Sequence, residues 1–333
     1  MHPLLRLSLL CLFLLVTLVA CGSEHGDSEP HLSTVFLILM ENKNWHQVKD
    51  NPSAPYLNQV LLPSSAYADN YRGAKNGNLH PSEPNYIWLE AGDNLGITND
   101  NDPDRNHRDT SDHLVNQLEA AGVSWRSYQE DITGDVCPLT AVGQYKPKHN
   151  PMVFFDDVIG FDPVADMADP LAPRCLEHVR PLEELATDLT GNTVARYNFI
   201  TPNQCNDMHS ECEPQKDEVK QGDDWLAGWI PRIQASRSYR QGGVILITWD
   251  EAELSPGCLG NCPIGMIALS PLAKGGGYHN AIAYDHSSTL KSVQEIFGVG
   301  PFLRHAADPE VLDLSDLFNI PLSSRPAAKA ERR

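Results

Sequence analysis

The sequence predicts an α/β protein in which helices sandwich a central, mainly parallel sheet. Two short apolar runs read as buried strands that end abruptly in hydrophilic pairs, and helical periodicities lie between such runs. With 333 residues the chain is long enough to bury one large core.

The first strand is TVFLILM, Thr34–Met40, which stops at Glu41 and Asn42. A helix follows over 111–121, with Ser111 as cap, Leu114, Leu118 and Ala121 on one face, and Gly122 as stop. The run 194–200 reads as a strand entering TPNQCNDMHS, and GVILITW, Gly243–Trp249, as a second central strand that stops at Asp250 and Glu251. A strand at 264–269 and a helix at 287–297, stopped by Gly298, complete the alternation. In open sheets of this kind ligands bind where the carboxyl ends of the strands emerge, which is where the acidic pairs fall.

Residues 1–20 read as a signal peptide, with Arg6 followed by an uncharged segment over 7–20 that is too short to span a bilayer. The closing LVAC resembles a bacterial lipobox, which makes Cys21 the expected diacylated residue; the alternative is an ordinary signal cut elsewhere. Residues 21–32 then form a tether, 33–320 one catalytic domain and 321–333 a disordered tail. The expected location is the bacterial cell envelope, with a membrane as partner through Cys21.

The formal charge of −19 argues against a nucleic-acid partner. Beyond Cys21 six cysteines remain, an even count suited to disulfides in an exported chain. Short spacings favour Cys205 with Cys212 and Cys258 with Cys262, leaving Cys137 with Cys175; a zinc site on Cys258 and Cys262 is the alternative. Asp100, Asp102 and Asp104 imitate the start of a calcium loop, but Arg105 and Ser111 occupy the places that need Gly and Glu. That stretch reads as a solvated loop.

Five segments are rich in groups that hold a cation or attack phosphorus: MENKNW, HPSEPNY, TPNQCNDMHS, TWDEAE and YDHSS. Glu41, Asn42, Asp250 and Glu251 offer hard oxygens, suited to magnesium, manganese or calcium. Ser82, stiffened by Pro81 and Pro84, is the candidate nucleophile. His209 and His286 can bind a phosphoryl group or protonate a leaving alkoxide, with Asp207 orienting one of them. Taken singly, each has a plainer reading, as loop solvation, a turn serine or a surface histidine.

These segments resemble the phosphoesterase family of bacterial and fungal acid phosphatases and phospholipases C, within the alkaline-phosphatase-like fold. The resemblance runs from about Ser33 to Gly298, and HPSEPNY, TWDE and YDHS are its most specific pieces. It implies that Glu41, Asn42, Asp250 and Glu251 bind a divalent metal and that Ser82 is both nucleophile and metal contact. It further implies that Asn85, His209 and His286 bind phosphate or transfer protons. His149 and Asn150 fall in YKPKHNP, a segment similar to one beside the family's active site, and Asp223 and Asp224 also match. Many phosphatases of the family read Asn-Asp-Gly-His-Asp where this chain has Asn206, Asp207, Met208, His209 and Ser210, which weakens the transfer at Asp207.

The expected activity is metal-dependent acid phosphatase, acting on small-molecule or lipid phosphate monoesters through a phosphoserine. A phospholipase C-type diesterase and a non-catalytic lipoprotein that binds metal or a phosphorylated ligand are the alternatives. The chain is shorter than typical phospholipases of the family, which carry extra C-terminal domains, and that favours the monoesterase expectation.

Overall fold

A computed structural model describes residues 29–323. Cys21, the expected signal peptide and nearly all of the expected tail lie outside the described residues.

The strands are β1 (Thr34–Met40), β2 (Ala66–Ala68), β3 (Trp125–Gln129), β4 (Val179–Pro181), β5 (Tyr197–Thr201), β6 (Gly243–Trp249), β7 (Leu254–Ser255), β8 (Cys258–Leu259), β9 (Met266–Leu269) and β10 (Tyr278–Asn280). Eight of them form one sheet in the order β10-β2-β9-β6-β1-β5-β3-β4, and β7 pairs with β8 as a separate hairpin. β1 lies at the centre, parallel to β5 on one side and to β6 on the other. All seven residues of β1 are buried, as are all seven of β6. Because successive side chains point to opposite faces, wholly buried strands require cover on both faces, as an unbroken apolar run predicts.

Helices supply that cover in two groups. Ser82–Ala91 packs with Leu114–Ala120 and His286–Phe297, while Glu218–Ala235 packs with Leu182–Gly191. The result is the expected α/β architecture with a mainly parallel sheet. Several details differ from the sequence reading: the strand expected at 194–200 starts three residues later, as Tyr197–Thr201. The strand expected at 264–269 is Met266–Leu269 and runs antiparallel to β6, because apolar patterning carries no strand direction. The helix expected from Ser111 begins at Leu114, after His113 in extended conformation, and Gly122 turns the chain with φ +69°. The helix at 286–297 starts on Asp285, whose side chain accepts from Ser287 N, and stops at Gly298 in left-handed conformation.

All three expected disulfides are present: Cys137–Cys175, Cys205–Cys212 and Cys258–Cys262. Closure of the last removes the zinc alternative, since its sulfurs are bonded to each other.

Candidate active site

The three central strands deliver their acids side by side. Register pairs Met40 with Trp249, so the next residues, Glu41 and Asp250, meet. Asp250 N donates to Met40 O at 3.0 Å, and Asn42 N donates to Asp250 Oδ1 at 2.9 Å. From the loop after β5, Asp207 O accepts Glu41 N at 2.7 Å. The Cys205–Cys212 bridge closes that loop, and Gln221 Nε2 pins it by donating to Cys205 O and Ser210 O.

Ser82 arrives from the other side as the first residue of its helix, with Oγ donating to Glu41 Oε2 at 3.0 Å and only 2 % of the residue exposed. The turn expected around it is in fact a helix start. Pro84 is tolerated there because N–H groups of a first turn have no intrahelical acceptor. Gly73 lets the opposing chain approach: a Cβ there would stand 2.9 Å from Asp250 O and 3.2 Å from Asn85 Oδ1.

Asn85 ties loops together. Its Oδ1 accepts Ala74 N at 2.9 Å, and its Nδ2 faces Leu79 O and Pro81 O and reaches Glu251 Oε2 at 3.2 Å. Glu251 Oε2 is also 2.7 Å from His80 Nδ1, whose other nitrogen meets Gly260 O at 2.8 Å. Both acceptors need a donated hydrogen, so His80 is an imidazolium there, and the Glu251 contact raises its pKa to about 9.

His286 is fully buried beneath Asp250. Nε2 donates to Asp250 O at 2.6 Å, so Nδ1 accepts from Tyr71 OH at 2.9 Å, and Tyr71 OH in turn lies 2.7 Å from Thr289 Oγ1. Burial drives its pKa down to about 4. With both ring nitrogens engaged, contact with a phosphoryl group requires breaking one of these bonds.

His209 is half-buried. Asp207 Oδ1 accepts its backbone N–H at 2.8 Å, so Asp207 positions the histidine through the main chain, and His209 Nδ1 meets Ser210 Oγ at 2.9 Å. Burial, then Lys148 and Lys43, hold its imidazole below the ordinary value. His149 stacks on Tyr86, with Nε2 3.3 Å from Glu41 Oε1 and Nδ1 3.4 Å from Asp207 Oδ2. Asn150 sits deeper, accepting from Ser127 Oγ and donating to Tyr145 OH.

The Asp223–Asp224 pair is engaged elsewhere. Asp223 accepts the backbone N–H groups of Tyr56 and Leu57, and Asp224 accepts from Gln215 and Lys220. Asp100, expected in a solvated loop, instead accepts Glu83 N at 3.0 Å and Lys148 Nζ at 2.9 Å. His80, Tyr86, Tyr71 and Lys148 were missed as site residues. His80 and Tyr86 lie inside HPSEPNY and Lys148 inside YKPKHNP, segments already singled out, and that membership was the available signal.

Electrostatically the centre is overloaded with acids. Burial above all, then repulsion from Asp250, holds the Glu41 carboxyl well above the usual range. Burial and Glu251 push Asp250 up to about 7, and burial likewise raises Asp207 far above its ordinary value. Two like charges ~4 Å apart at an effective dielectric near 20 repel by about 4 kcal/mol, enough to keep such acids from ionising together. Among the described residues, no group of three or more His, Cys, Asp or Glu is arranged to hold a metal ion by itself. A mixed oxygen set that includes Ser82 and Asn42 remains chemically suited to a hard cation. Glu41 Oε1 and Asp250 Oδ2 are buried without hydrogen-bond partners, and a cation would satisfy both.

The Phosphoesterase family model matches residues 41–300. A probable acid phosphatase of Kluyveromyces lactis is 24 % identical over 84 % of the chain, which spans 61 % of that relative's length. A phosphatidylinositol-3-phosphatase of Mycobacterium tuberculosis is 24 % identical over 81 % of the chain and 78 % of the relative. Among solved structures, an alkaline phosphatase superfamily protein from Vibrio parahaemolyticus superposes with a TM-score of 0.53 at 9 % identity, covering 87 % of this chain and 73 % of that one. Phosphonate monoester hydrolase of Agrobacterium radiobacter gives 0.51 at 11 % identity, covering 84 % and 78 %. The fold is therefore alkaline-phosphatase-like.

Proposed function

The chain belongs to the Phosphoesterase family, and from that premise we propose that it is an exported acid phosphatase hydrolysing phosphate monoesters through a phosphoserine on Ser82. The observation that carries this reading is the 3.0 Å contact of Ser82 Oγ with buried Glu41, at the N-terminus of a ten-residue helix.

Glu41 accepts the Ser82 proton as the oxygen attacks phosphorus and the ester oxygen departs. The helix N-terminus favours negative charge on the transferring group. His209, at the half-buried edge, protonates the leaving alkoxide. Its lowered pKa makes the imidazolium abundant only in acid, which accords with an acid optimum. Water then attacks the phosphoserine, phosphate leaves, and Ser82 regains its proton. His286 keeps the Asp250 backbone in place through its 2.6 Å bond. Glu41, Asn42, Ser82, Asp250 and Glu251 would hold a divalent cation, magnesium, manganese or calcium, which supplies charge neutralisation to the acids and the phosphoryl oxygens.

The substrates in this reading are small-molecule or lipid phosphate monoesters, in keeping with the names of the relatives. Cys21 anchors the mature chain to a bacterial envelope membrane, with no nucleic-acid partner. Hydrolysis of a chromogenic monoester by residues 22–333 between pH 4 and 8, with and without chelator, tests the proposal beside Ser82→Ala. Turnover lost in the variant and on chelation supports it; turnover retained by the variant overturns it.

A further inference from the structure

The Asp100 carboxylate joins two parts of the site. One oxygen accepts the backbone N–H of Glu83, the residue after Ser82, at 3.0 Å, and the other accepts Lys148 Nζ at 2.9 Å. A single planar carboxylate therefore fixes an ammonium beside the start of the Ser82 helix. At its other end Lys148 is fixed by His149, which is 2 % exposed, stacked on Tyr86 and 3.3 Å from Glu41 Oε1.

Two other cations at the centre are committed. Lys43 Nζ faces Asn42 O, Glu253 and Glu218 at 3.0, 3.4 and 2.9 Å, which accounts for its three donors. Both nitrogens of His80 are taken by Glu251 and Gly260. Lys148 makes one hydrogen bond, to Asp100, and no other among the described residues, so two N–H donors are left on an 18 % exposed side chain. Its charge also reaches the acids, favouring the ionised forms of Glu41 and Asp207 against the effect of burial.

We propose that Lys148 is a phosphate-binding residue that takes a non-bridging phosphoryl oxygen of the substrate, with Asp100 as the positioning residue that aims it. The proposal rests on the phosphatase reading for the identity of the substrate, and its binding arm stands apart from turnover. A phosphate monoester brings a charge near −2 at neutral pH to a site crowded with acids. An ammonium with unused donors lowers that barrier, and its partial exposure lets the anion reach it. The loop around Asp100 thereby has a task in substrate binding, although its calcium-loop likeness fails.

The test is titration calorimetry with inorganic phosphate, together with kcat and KM on a chromogenic monoester, for the full mature chain and its K148M, K148R, D100N and K148M/D100N variants. In K148M the phosphate Kd and the KM rise tenfold or more while the melting temperature moves little, and K148R recovers part of the loss. D100N keeps an acceptor for Glu83 N and loses the ion pair, so its cost largely disappears in the K148M background. If K148M does not fold, K148Q is read the same way. An unchanged phosphate Kd and KM with only a shifted melting temperature makes Lys148 a structural counter-ion and overturns the proposal. Strictly additive D100N and K148M costs overturn the part given to Asp100. Parent protein that binds phosphate through Lys148 without any turnover removes the phosphatase reading and leaves this one standing; parent protein that turns over the monoester but binds no phosphate overturns this proposal and leaves the phosphatase reading standing.

Discussion

Ser82 Oγ and Glu41 Oε2 lie 3.0 Å apart across forty-one positions of sequence, one at the start of a helix and the other at the end of the central strand. The contact places a hydroxyl donor against an acceptor where both residues are buried, Ser82 at 2 % exposure and Glu41 at none. Ser82→Ala removes one oxygen and little volume. Turnover is expected to fall by ~10³-fold or more while thermal melting shifts by about 2 °C or less, measured on the same preparation.

The crowding of buried acids makes a second prediction. Without a cation, Glu41→Gln relieves repulsion with Asp250 and leaves the metal-free protein at least as stable as the parent. Adding millimolar magnesium, manganese or calcium raises the parent's melting temperature, since a ligand of the native state alone stabilises by RT ln(1 + [L]/Kd). The Asp250→Asn variant loses that response. Scanning calorimetry with and without chelator checks both; an equal response in the variant counts against cation binding at these oxygens.

Glu90 supplies a pH test remote from the chemistry. Its carboxyl is fully buried, accepts from Tyr197 OH at 3.1 Å and is pushed up to about 8 by burial. The unfolded value is near 4.3, so the folded state retains the extra proton between these limits. Stability from this group is then full below pH ~4.3 and declines as pH rises through about 8. Glu90→Gln mimics the protonated acid. Its melting temperature is expected to exceed the parent's by on the order of 10 °C at pH 8.5 and to converge with it at pH 4 and below, by scanning calorimetry.

The Cys205–Cys212 bridge closes the loop that carries Asp207 and His209. Replacing both cysteines with serine is expected to cost about 2 kcal/mol of stability and to lower kcat about tenfold through a looser His209. Removal of Cys137–Cys175, which closes a longer loop, should cost more stability, about 4 kcal/mol, with far less effect on kcat. Denaturant unfolding and steady-state kinetics on the two pairs separate these outcomes.

The central strands were legible because a wholly buried parallel strand must be apolar along its entire length, and β1 and β6 are. Their carboxyl ends, Glu41 and Asp250, were legible for the same reason: polarity returns abruptly where burial between layers stops. The Ser82 helix was not, since prolines at 81 and 84 read as turn residues although the N-cap and the first helical turn accommodate them. β2 and β10 escaped notice because each has three residues, too few to show alternation. The contact of Lys148 with Asp100 was out of reach of pattern, as it depends on a loop folding back across 48 positions.

β5, β1 and β6 lie side by side, and the loops leaving their ends carry Asp207, Glu41 and Asp250, drawn from positions far apart in the chain. Those three strands meet only when the middle of the sheet is assembled, so chain segments cut from the protein would each carry an incomplete set of these side chains. Catalytic output is thus a sensor of native assembly: it should vanish at the same denaturant concentration at which the central strands lose amide-exchange protection, and a protease nick inside the sheet should silence the enzyme outright.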